Sequence, residues 1–141
     1  MATDPLPLTF TVRACVKEAV TLSGAVGAVS THLGVATAAT NHNTRHPAVT
    51  ASFATTMHRL TGGRFALGLG RGIDLLFRAF GIPSITTAQV EDFARLMRRL
   101  WRGETVIGHD GPAGRWPVLR LDPAFDESIP LLLTAFAPQS L

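Results

Sequence analysis

Three short apolar runs constrain the fold of this chain more than any other feature. Residues 33–39 read Leu-Gly-Val-Ala-Thr-Ala-Ala and residues 64–69 read Arg-Phe-Ala-Leu-Gly-Leu, and neither run alternates apolar with polar side chains. A strand with one face in water would alternate, so these runs predict strands covered on both faces, as in a parallel sheet. A last run from Ile129 to Phe136 predicts a third core strand.

Helical segments separate these runs. Apolar spacing predicts helices from Val16 to Ser30, from Pro47 to Gly62, over residues 74–80, and from a Thr86–Gln89 capping box to Gly103. Residues 105–121 predict a β-hairpin, and the proline-interrupted residues 1–15 predict an irregular lead-in. Strands that alternate with helices predict an α/β domain with a parallel sheet over residues 16–141.

Two polar or glycine-rich segments follow the first two runs. Right-handed crossovers would place them at one edge of the sheet, where α/β folds bind ligands. Residues 40–46, Thr-Asn-His-Asn-Thr-Arg-His, bring amides, imidazoles and hydroxyls to a helix start, where polar ligands and anions are favoured; helix capping would account for about half of them. Residues 68–72, Gly-Leu-Gly-Arg-Gly, offer backbone and one guanidinium suited to phosphate, or form a plain glycine-rich turn.

Composition narrows the function classes. The chain has 141 residues, 46% of them hydrophobic and 16% charged, which suffices for one folded domain. Its net charge of +3 is too small and too scattered to indicate nucleic acid. Arginines 95, 98, 99 and 102 share one helical face, which is typical of a solvated surface; a basic binding module is the alternative.

Location and metal binding are predicted from a few residues. Residues 19–44 carry no Lys, Arg, Asp or Glu, but their small and polar composition argues against a membrane span. The single Cys15 rules out an internal disulfide and suits the reducing cytoplasm. His42 and His46 have i, i+4 spacing, yet Pro47 begins the helix after them, so no metal site is predicted.

Several blocks of the chain, taken in order, resemble the luciferase-like monooxygenase family, which includes bacterial luciferase and the oxidoreductases that use coenzyme F-420. The resemblance covers roughly residues 16–141. The blocks are Leu33 to Pro47, Leu60-Thr-Gly-Gly-Arg-Phe65, Leu67-Gly-Leu-Gly-Arg-Gly72, Phe80-Gly81, Leu100-Trp-Arg-Gly103 and Ile129-Pro-Leu-Leu132.

This resemblance implies a TIM barrel with FMN or coenzyme F-420 at the carboxyl ends of the strands. It implies a non-proline cis peptide bond between Ala38 and Ala39, and a phosphate contact for Arg71. The loop residues Asn41, His42 and Asn43 would line the pocket. We therefore expect His42 to be catalytic, and the cofactor-binding residues to be Ala38, Ala39, Asn41, Asn43, Gly70, Arg71 and Gly72.

The chain also departs from the family pattern. A complete barrel of this kind needs eight strand–helix units and about 250 residues. Here we expect a partial barrel with about three core strands and a hairpin insertion, with the family's opening strand missing from residues 1–15. One hypothesis is an oxidoreductase that acts on a small organic substrate by monooxygenation or hydride transfer. The alternative is a truncated, non-catalytic remnant that self-associates through its open sheet, so enzyme activity is left undecided.

Overall fold

The computed structural model describes residues 9–12, 18–122 and 125–134. A one-turn 3₁₀ helix, His42–Thr44, lies between β2 and α2. The other elements are β1 (Thr9–Val12), α1 (Ala19–Val29), β2 (Gly34–Thr37), α2 (Pro47–Leu60), β3 (Phe65–Gly70), α3 (Asp74–Ala79), α4 (Thr87–Trp101), β4 (Val106–Gly111), β5 (Gly114–Leu119) and β6 (Leu131–Thr134).

Four parallel strands form the main sheet, in the order β1-β2-β3-β6. Val35 of β2 lies opposite Phe65 of β3, and Leu67 of β3 lies opposite Leu131 of β6. Each crossover between neighbouring strands contains helix, as a parallel sheet requires. The predicted α/β partial barrel is confirmed, including the three core strands placed by their unbroken apolar runs.

The structure corrects the prediction that residues 1–15 are an irregular lead-in. Residues Thr9–Val12 form a fourth strand, which pairs in parallel with β2 from Thr9 opposite Gly34 onward. Pro5 and Pro7 suggested irregularity, but both precede the strand, where proline removes no hydrogen bond from it. Residues 1–8 and 13–17, which include Cys15, lie outside the described residues.

Two other boundaries differ from the expected ones. The helix expected from Val16 is described from Ala19, after Glu18, whose carboxylate accepts the free N–H groups of the first turn. The strand expected over Ile129–Phe136 is described as Leu131–Thr134, and residues 135 and 136 lie outside the described part of the chain.

The core lies between the sheet and helices α2 and α4. Phe53 of α2 meets Phe65 of β3 edge to face at 5.3 Å, and the indole N–H of Trp101 donates to the carbonyl of Ala51 at 3.4 Å. Burial of each large apolar side chain contributes about 1.5–3 kcal/mol. The core side chains of α4 are Phe93, Ala94, Leu96, Met97, Leu100 and Trp101, and those of α2 are Ala51, Phe53, Ala54 and Met57.

The predicted hairpin is confirmed as the antiparallel pair β4–β5, and it is attached to helix α4. The Asp92 carboxylate lies 3.1 Å from His109 Nε2 and accepts the Ala113 N–H at 3.0 Å. Trp116 stacks on His109 with ring centroids 5.4 Å apart, and its edge faces His46 at 6.2 Å. The hairpin thereby reaches the loop that follows β2.

The stretch without charges, residues 19–44, forms a helix and a strand in place of one long span. Across residues 9–12, 18–122 and 125–134, no helix combines the length and apolarity needed to cross a membrane.

Candidate functional site

The segments after β2 and β3 meet at one edge of the sheet. The Thr40 N–H donates to the Gly68 carbonyl at 2.7 Å, and the Gly70 N–H donates to the Thr40 carbonyl at 3.2 Å. One residue further on, Asn41 Nδ2 donates to the Gly70 carbonyl at 2.9 Å. The polar stretch that begins at Thr40 and the glycine-flanked Arg71 therefore lie at the same carboxyl edge, where parallel α/β sheets place ligands.

The backbone is irregular between the end of β2 and this edge. The peptide bond between Ala38 and Ala39 is cis, as the family resemblance implied. Where the strand departs from β3, the Thr37 hydroxyl replaces the backbone: it accepts the Gly68 N–H at 2.9 Å and donates to the Gly68 carbonyl at 3.1 Å.

Gly68 and Gly70 at the end of β3, and Gly72 just after it, are each required by a close approach within the protein. A Cβ at Gly68 would lie 1.8 Å from the Thr37 carbonyl oxygen, and one at Gly70 would lie 2.1 Å from Thr134 Oγ1. Gly72 has φ +71°, and its Cβ would lie 2.3 Å from the ring of Phe77. Packing thus accounts for these glycines, and cofactor contacts by Gly70 and Gly72 stay a prediction.

A pocket of about 250 Å³ opens between the loop after β2 and helix α3. One wall is polar and comes from the helix start at Glu18 and from the loop. The apolar lining comes from α3 and the residues on either side of it. The polar wall consists of Glu18, Thr40, Asn41, Thr44 and Arg45, and the apolar side of Ile73, Leu76, Phe77, Phe80 and Ile82, with Ala19 and Gly72 between them.

The two charged groups of the pocket form a pair. The Arg45 guanidinium donates to the Glu18 carboxylate. That carboxylate also accepts the N–H groups of Val20 at 3.2 Å and Thr21 at 2.6 Å. Burial acts to raise the pKa of Glu18, but these hydrogen bonds, together with the smaller effect of Arg45, lower it to about 2. Glu18 is therefore anionic at neutral pH and neutralises Arg45.

Several polar atoms of the loop after β2 have no partner. Thr40 Oγ1, His42 Nδ1 and Asn43 Oδ1 are shielded from solvent and make no hydrogen bond within the described part of the chain. The amide nitrogen of Asn43 does bond, to the Pro83 carbonyl at 2.5 Å. Buried polar groups are nearly always hydrogen-bonded in folded proteins. Of the six such unbonded atoms in the described residues, three lie in this loop, and the other three belong to Ser23, Thr50 and His58 in helices α1 and α2.

The structure separates His42 from this pocket. Its ring lies against Phe93 of α4, with centroids 5.5 Å apart, and it is absent from the pocket lining. Burial lowers the pKa of His42, and the nearby Asp92 opposes that effect, so the imidazole is neutral at pH 7. Its catalytic role stays a prediction.

Arg71 is partly used by the fold. Its Nε–H donates to the Ile85 carbonyl at 2.9 Å, which connects the segment after β3 to the start of α4. A guanidinium carries five N–H groups, so the other four remain suited to phosphate. Among residues 9–12, 18–122 and 125–134, no group of three or more His, Cys, Asp or Glu is arranged to hold a metal ion.

Sequence reasoning missed two parts of this site. Glu18 and Arg45 are 27 residues apart, and no local pattern predicts their pairing. The apolar lining is also missed, because the sequence predicts only a short helix over residues 74–80 and does not place it beside a pocket. The available signal is the density of apolar residues in and beside that helix, Ile73, Leu76, Phe77 and Phe80.

Comparison with known proteins identifies the family. The model of the luciferase-like monooxygenase family matches residues 8–141, which is nearly the whole chain. The chain belongs to this family, as the sequence blocks predicted.

Individual relatives agree with this assignment. Over 82 residues the chain is 39% identical to phthiodiolone/phenolphthiodiolone dimycocerosates ketoreductase of Mycobacterium sp. (strain JLS), which covers 57% of this chain and 21% of the relative. A monooxygenase from Streptomyces bottropensis is 26% identical, with TM-score 0.66 over 82% of this chain and 36% of the other. The coenzyme F420-dependent tetrahydromethanopterin reductase of Methanopyrus kandleri shares the fold at 14% identity, with TM-score 0.73 over 97% of this chain and 52% of the other. The chain thus spans about a fifth of the curated relative and between a third and a half of these structures.

Proposed function

We propose that this chain forms part of the active site of a luciferase-like oxidoreductase that uses reduced FMN or coenzyme F-420 on a small organic substrate. The observation that carries the proposal is the convergence of the polar loop after β2 and the glycine-flanked Arg71 at one carboxyl edge of a parallel sheet. Similarity to flavin- and F-420-dependent proteins supports the choice of cofactor class.

The residues at this edge fit such a cofactor. The unbonded oxygen of Asn43 and the amide of Asn41 provide hydrogen-bonding groups, the backbone at Ala38-Ala39 provides a contact surface, and Arg71 provides a guanidinium for phosphate. The cofactor would supply the redox chemistry, while these residues would bind and orient it and exclude water. His42, with a neutral imidazole and an unbonded Nδ1, is our candidate for moving a proton.

The size of the pocket supports a partial site. Small-molecule sites typically enclose about 300–1,000 Å³, and the pocket here holds about 250 Å³. The described residues would therefore surround one portion of a cofactor or substrate.

Titration of the purified chain with FMN and with coenzyme F-420, followed by fluorescence, tests the proposal. We expect saturable binding of at least one cofactor. Riboflavin, which lacks the phosphate, should bind more weakly than FMN if FMN is the cofactor. Flat titrations with both cofactors, on protein shown to be folded by circular dichroism, would refute it.

Two arginine variants locate the phosphate. Arg71→Ala should weaken FMN binding about tenfold or more and remove the preference for FMN over riboflavin, because a charge-assisted hydrogen bond is lost. Arg78→Ala on α3 is the matched control, since Arg78 is exposed and outside the pocket lining. Equal losses from both variants would argue against a phosphate site at Arg71.

We also propose, as a second candidate, a non-catalytic chain that self-associates through its sheet. In the described sheet β6 is an outer strand, and Leu132 and Leu133 on it are exposed. Unpaired edges and exposed apolar side chains favour pairing with another chain. Sedimentation of the protein over a hundredfold concentration range should then show association, and a monomer at every concentration would exclude this candidate.

A further inference from the structure

A second pocket, of about 230 Å³, opens between the end of α4 and the segment that precedes β6. Its lining includes Ile129, shortly before β6 begins at Leu131, so the pocket lies at the amino end of the sheet. It shares no lining residue with the pocket beside α3 at the carboxyl edge. We call it the amino-end pocket.

The two elements contribute charges of opposite sign to this lining. Helix α4 contributes the guanidiniums of Arg98 and Arg102, and the segment before β6 contributes the carboxylates of Asp126 and Glu127. No ion pair joins the two elements in the described part of the chain. Cations and anions therefore line one pocket without neutralising each other.

Three of these four charges are available to a ligand. Glu127 is used by the fold, since its carboxylate lies 2.8 Å from His58 Nε2. Arg98, Arg102 and Asp126 are exposed, and none of them makes a hydrogen bond or an ion pair with another described residue. The lining thus offers two free guanidiniums and one free carboxylate.

The two guanidiniums are placed to share one anion. Arg98 and Arg102 have i, i+4 spacing, which places them on the same helix face and makes them repel each other. The nearby carboxylate of Glu104 is held by Arg99, with an Nε–Oε1 distance of 3.1 Å. The pKa of Glu104 is accordingly lowered more by Arg99 than by Arg102. A carboxylate on a ligand would relieve the repulsion and accept several N–H groups.

Apolar residues complete the lining. Trp101 and Ile129 border the pocket and belong to the hydrophobic core, so a carbon skeleton can lie against the parts they expose. Small-molecule sites typically enclose about 300–1,000 Å³, and this pocket is smaller than that range. The ligand that fits is therefore small.

We propose that the amino-end pocket binds a small zwitterion, an α-amino acid. Its carboxylate lies on Arg98 and Arg102, and its ammonium group lies on Asp126. A ligand with a single charge would leave the charge of opposite function in the lining unmatched, whereas a zwitterion matches both. Solvent screens contacts of exposed charges, so we expect a dissociation constant on the order of millimolar.

Three probes with one carbon skeleton test the proposal on the 141-residue chain. L-Leucine carries both charges, isocaproate lacks the amino group, and isoamylamine lacks the carboxylate. Ligand-observed NMR titrations measure the three dissociation constants. We expect leucine to bind at least about fivefold more tightly than either analogue, and to bind more weakly as salt is added. Isocaproate binding as tight as that of leucine, or no leucine binding, would overturn the proposal.

Variants of the exposed charges assign each contact. Asp126→Asn should remove the preference for leucine over isocaproate, because only the ammonium group loses its partner. Arg98→Gln and Arg102→Gln should each reduce the preference for leucine over isoamylamine. Arg95→Gln is the matched control, since Arg95 is exposed on α4, pairs with Glu91 and is outside the lining. A preference for leucine that survives Asp126→Asn, or that Arg95→Gln reduces equally, would overturn the assignment.

This proposal does not depend on the proposed function, because the two sites lie at different ends of the sheet. Leucine binding without binding of FMN or coenzyme F-420 would refute the proposed function and leave the amino-end pocket assigned. Cofactor binding without leucine binding would refute the amino-end site alone.

Discussion

Two buried threonines, three residues apart, differ between the interior of the sheet and its carboxyl edge. We call this edge the rim; it consists of residues 40–46 and 70–72, with Glu18 beside them. Thr37 is 0% exposed and Thr40 is 2% exposed. The Thr37 hydroxyl makes two hydrogen bonds to the backbone of Gly68, whereas the Thr40 hydroxyl makes none in the described part of the chain. The same side chain completes the fold at one position and is left without a partner in the described residues at the other.

The difference follows from the backbone. At Thr37 the strand leaves its neighbour, so the side chain replaces a missing backbone partner for the Gly68 N–H. At Thr40 the backbone pairs again, through its N–H to Gly68 and its carbonyl to Gly70. Because the main chain of Thr40 is already paired, its hydroxyl is not needed to satisfy the backbone of β3.

The largest effect is expected at the interior contact itself. Gly68→Ala should abolish cooperative folding, because the new Cβ would lie 1.8 Å from the Thr37 carbonyl oxygen, a backbone atom fixed in the sheet. Gly24→Ala is the control, since nothing lies within 4 Å of a Cβ at Gly24 in helix α1. That control should gain about 0.5–1 kcal/mol in thermal unfolding. A folded Gly68→Ala protein with the wild-type melting temperature would contradict the description of the interior.

The threonine pair tests the comparison directly. Thr37→Val should lower the free energy of unfolding by about 1–3 kcal/mol, because it leaves the buried Gly68 N–H without a partner. Thr40→Val should leave it unchanged or raise it, because the substitution removes a buried hydroxyl that has no partner in the described part of the chain. Urea denaturation measures both values, and equal losses would erase the distinction between interior and rim.

Detaching the hairpin from α4 should increase local opening of the rim more than local opening of the interior strands. Asp92→Ala removes the acceptor of both His109 and Ala113, and loosens Trp116 from His46. We expect a loss of about 1–2 kcal/mol. We also expect faster amide hydrogen exchange in residues 40–46, with little change in Phe65–Gly70. Equal acceleration in both segments would show that the hairpin stabilises the whole domain.

Sequence patterns predict the interior strands well, because their apolar pattern depends only on residues that are neighbours in the chain. Residues buried on both faces of a parallel sheet must be apolar without alternation, so the runs at 33–39 and 64–69 identified β2 and β3. The short strand β1 was missed because Pro5 and Pro7 outweighed the apolar residues after them. Family resemblance identified the Ala38-Ala39 bond, which composition and spacing do not predict.

The sequence predicts which segments meet at the rim, but it does not predict the hydrogen bonds that their side chains make there. The polar residues 40–46 and Arg71 do reach one edge. Which atoms are free there depends on partners distant in sequence: Arg71 bonds Ile85, Asn43 bonds Pro83, and His42 turns to Phe93. The sequence does not distinguish Thr37 from Thr40. Only the tertiary structure shows that the first hydroxyl is hydrogen-bonded and that the second has no partner in the described residues.

The smallest expected effect concerns Glu18, which belongs to the rim. Its pKa of about 2 lies below the ordinary value of 4.5, so the stability it contributes is complete above about pH 4.5 and is lost as the pH falls towards 2. Because its side chain is 47% exposed, solvent screens the effect and we expect a small change. Between these pH values the free energy of unfolding should therefore fall slightly less in Glu18→Gln than in the wild type, as measured by acid unfolding.

A second variant ranks the causes of that effect. The N–H groups of Val20 and Thr21 lower the pKa of Glu18 more than Arg45 does, so Arg45→Gln should retain most of the pH dependence that Glu18→Gln removes. If Arg45→Gln removed as much of it as Glu18→Gln does, the ion pair with Arg45, and not the hydrogen bonds at the start of α1, would be the main cause of the low pKa of Glu18.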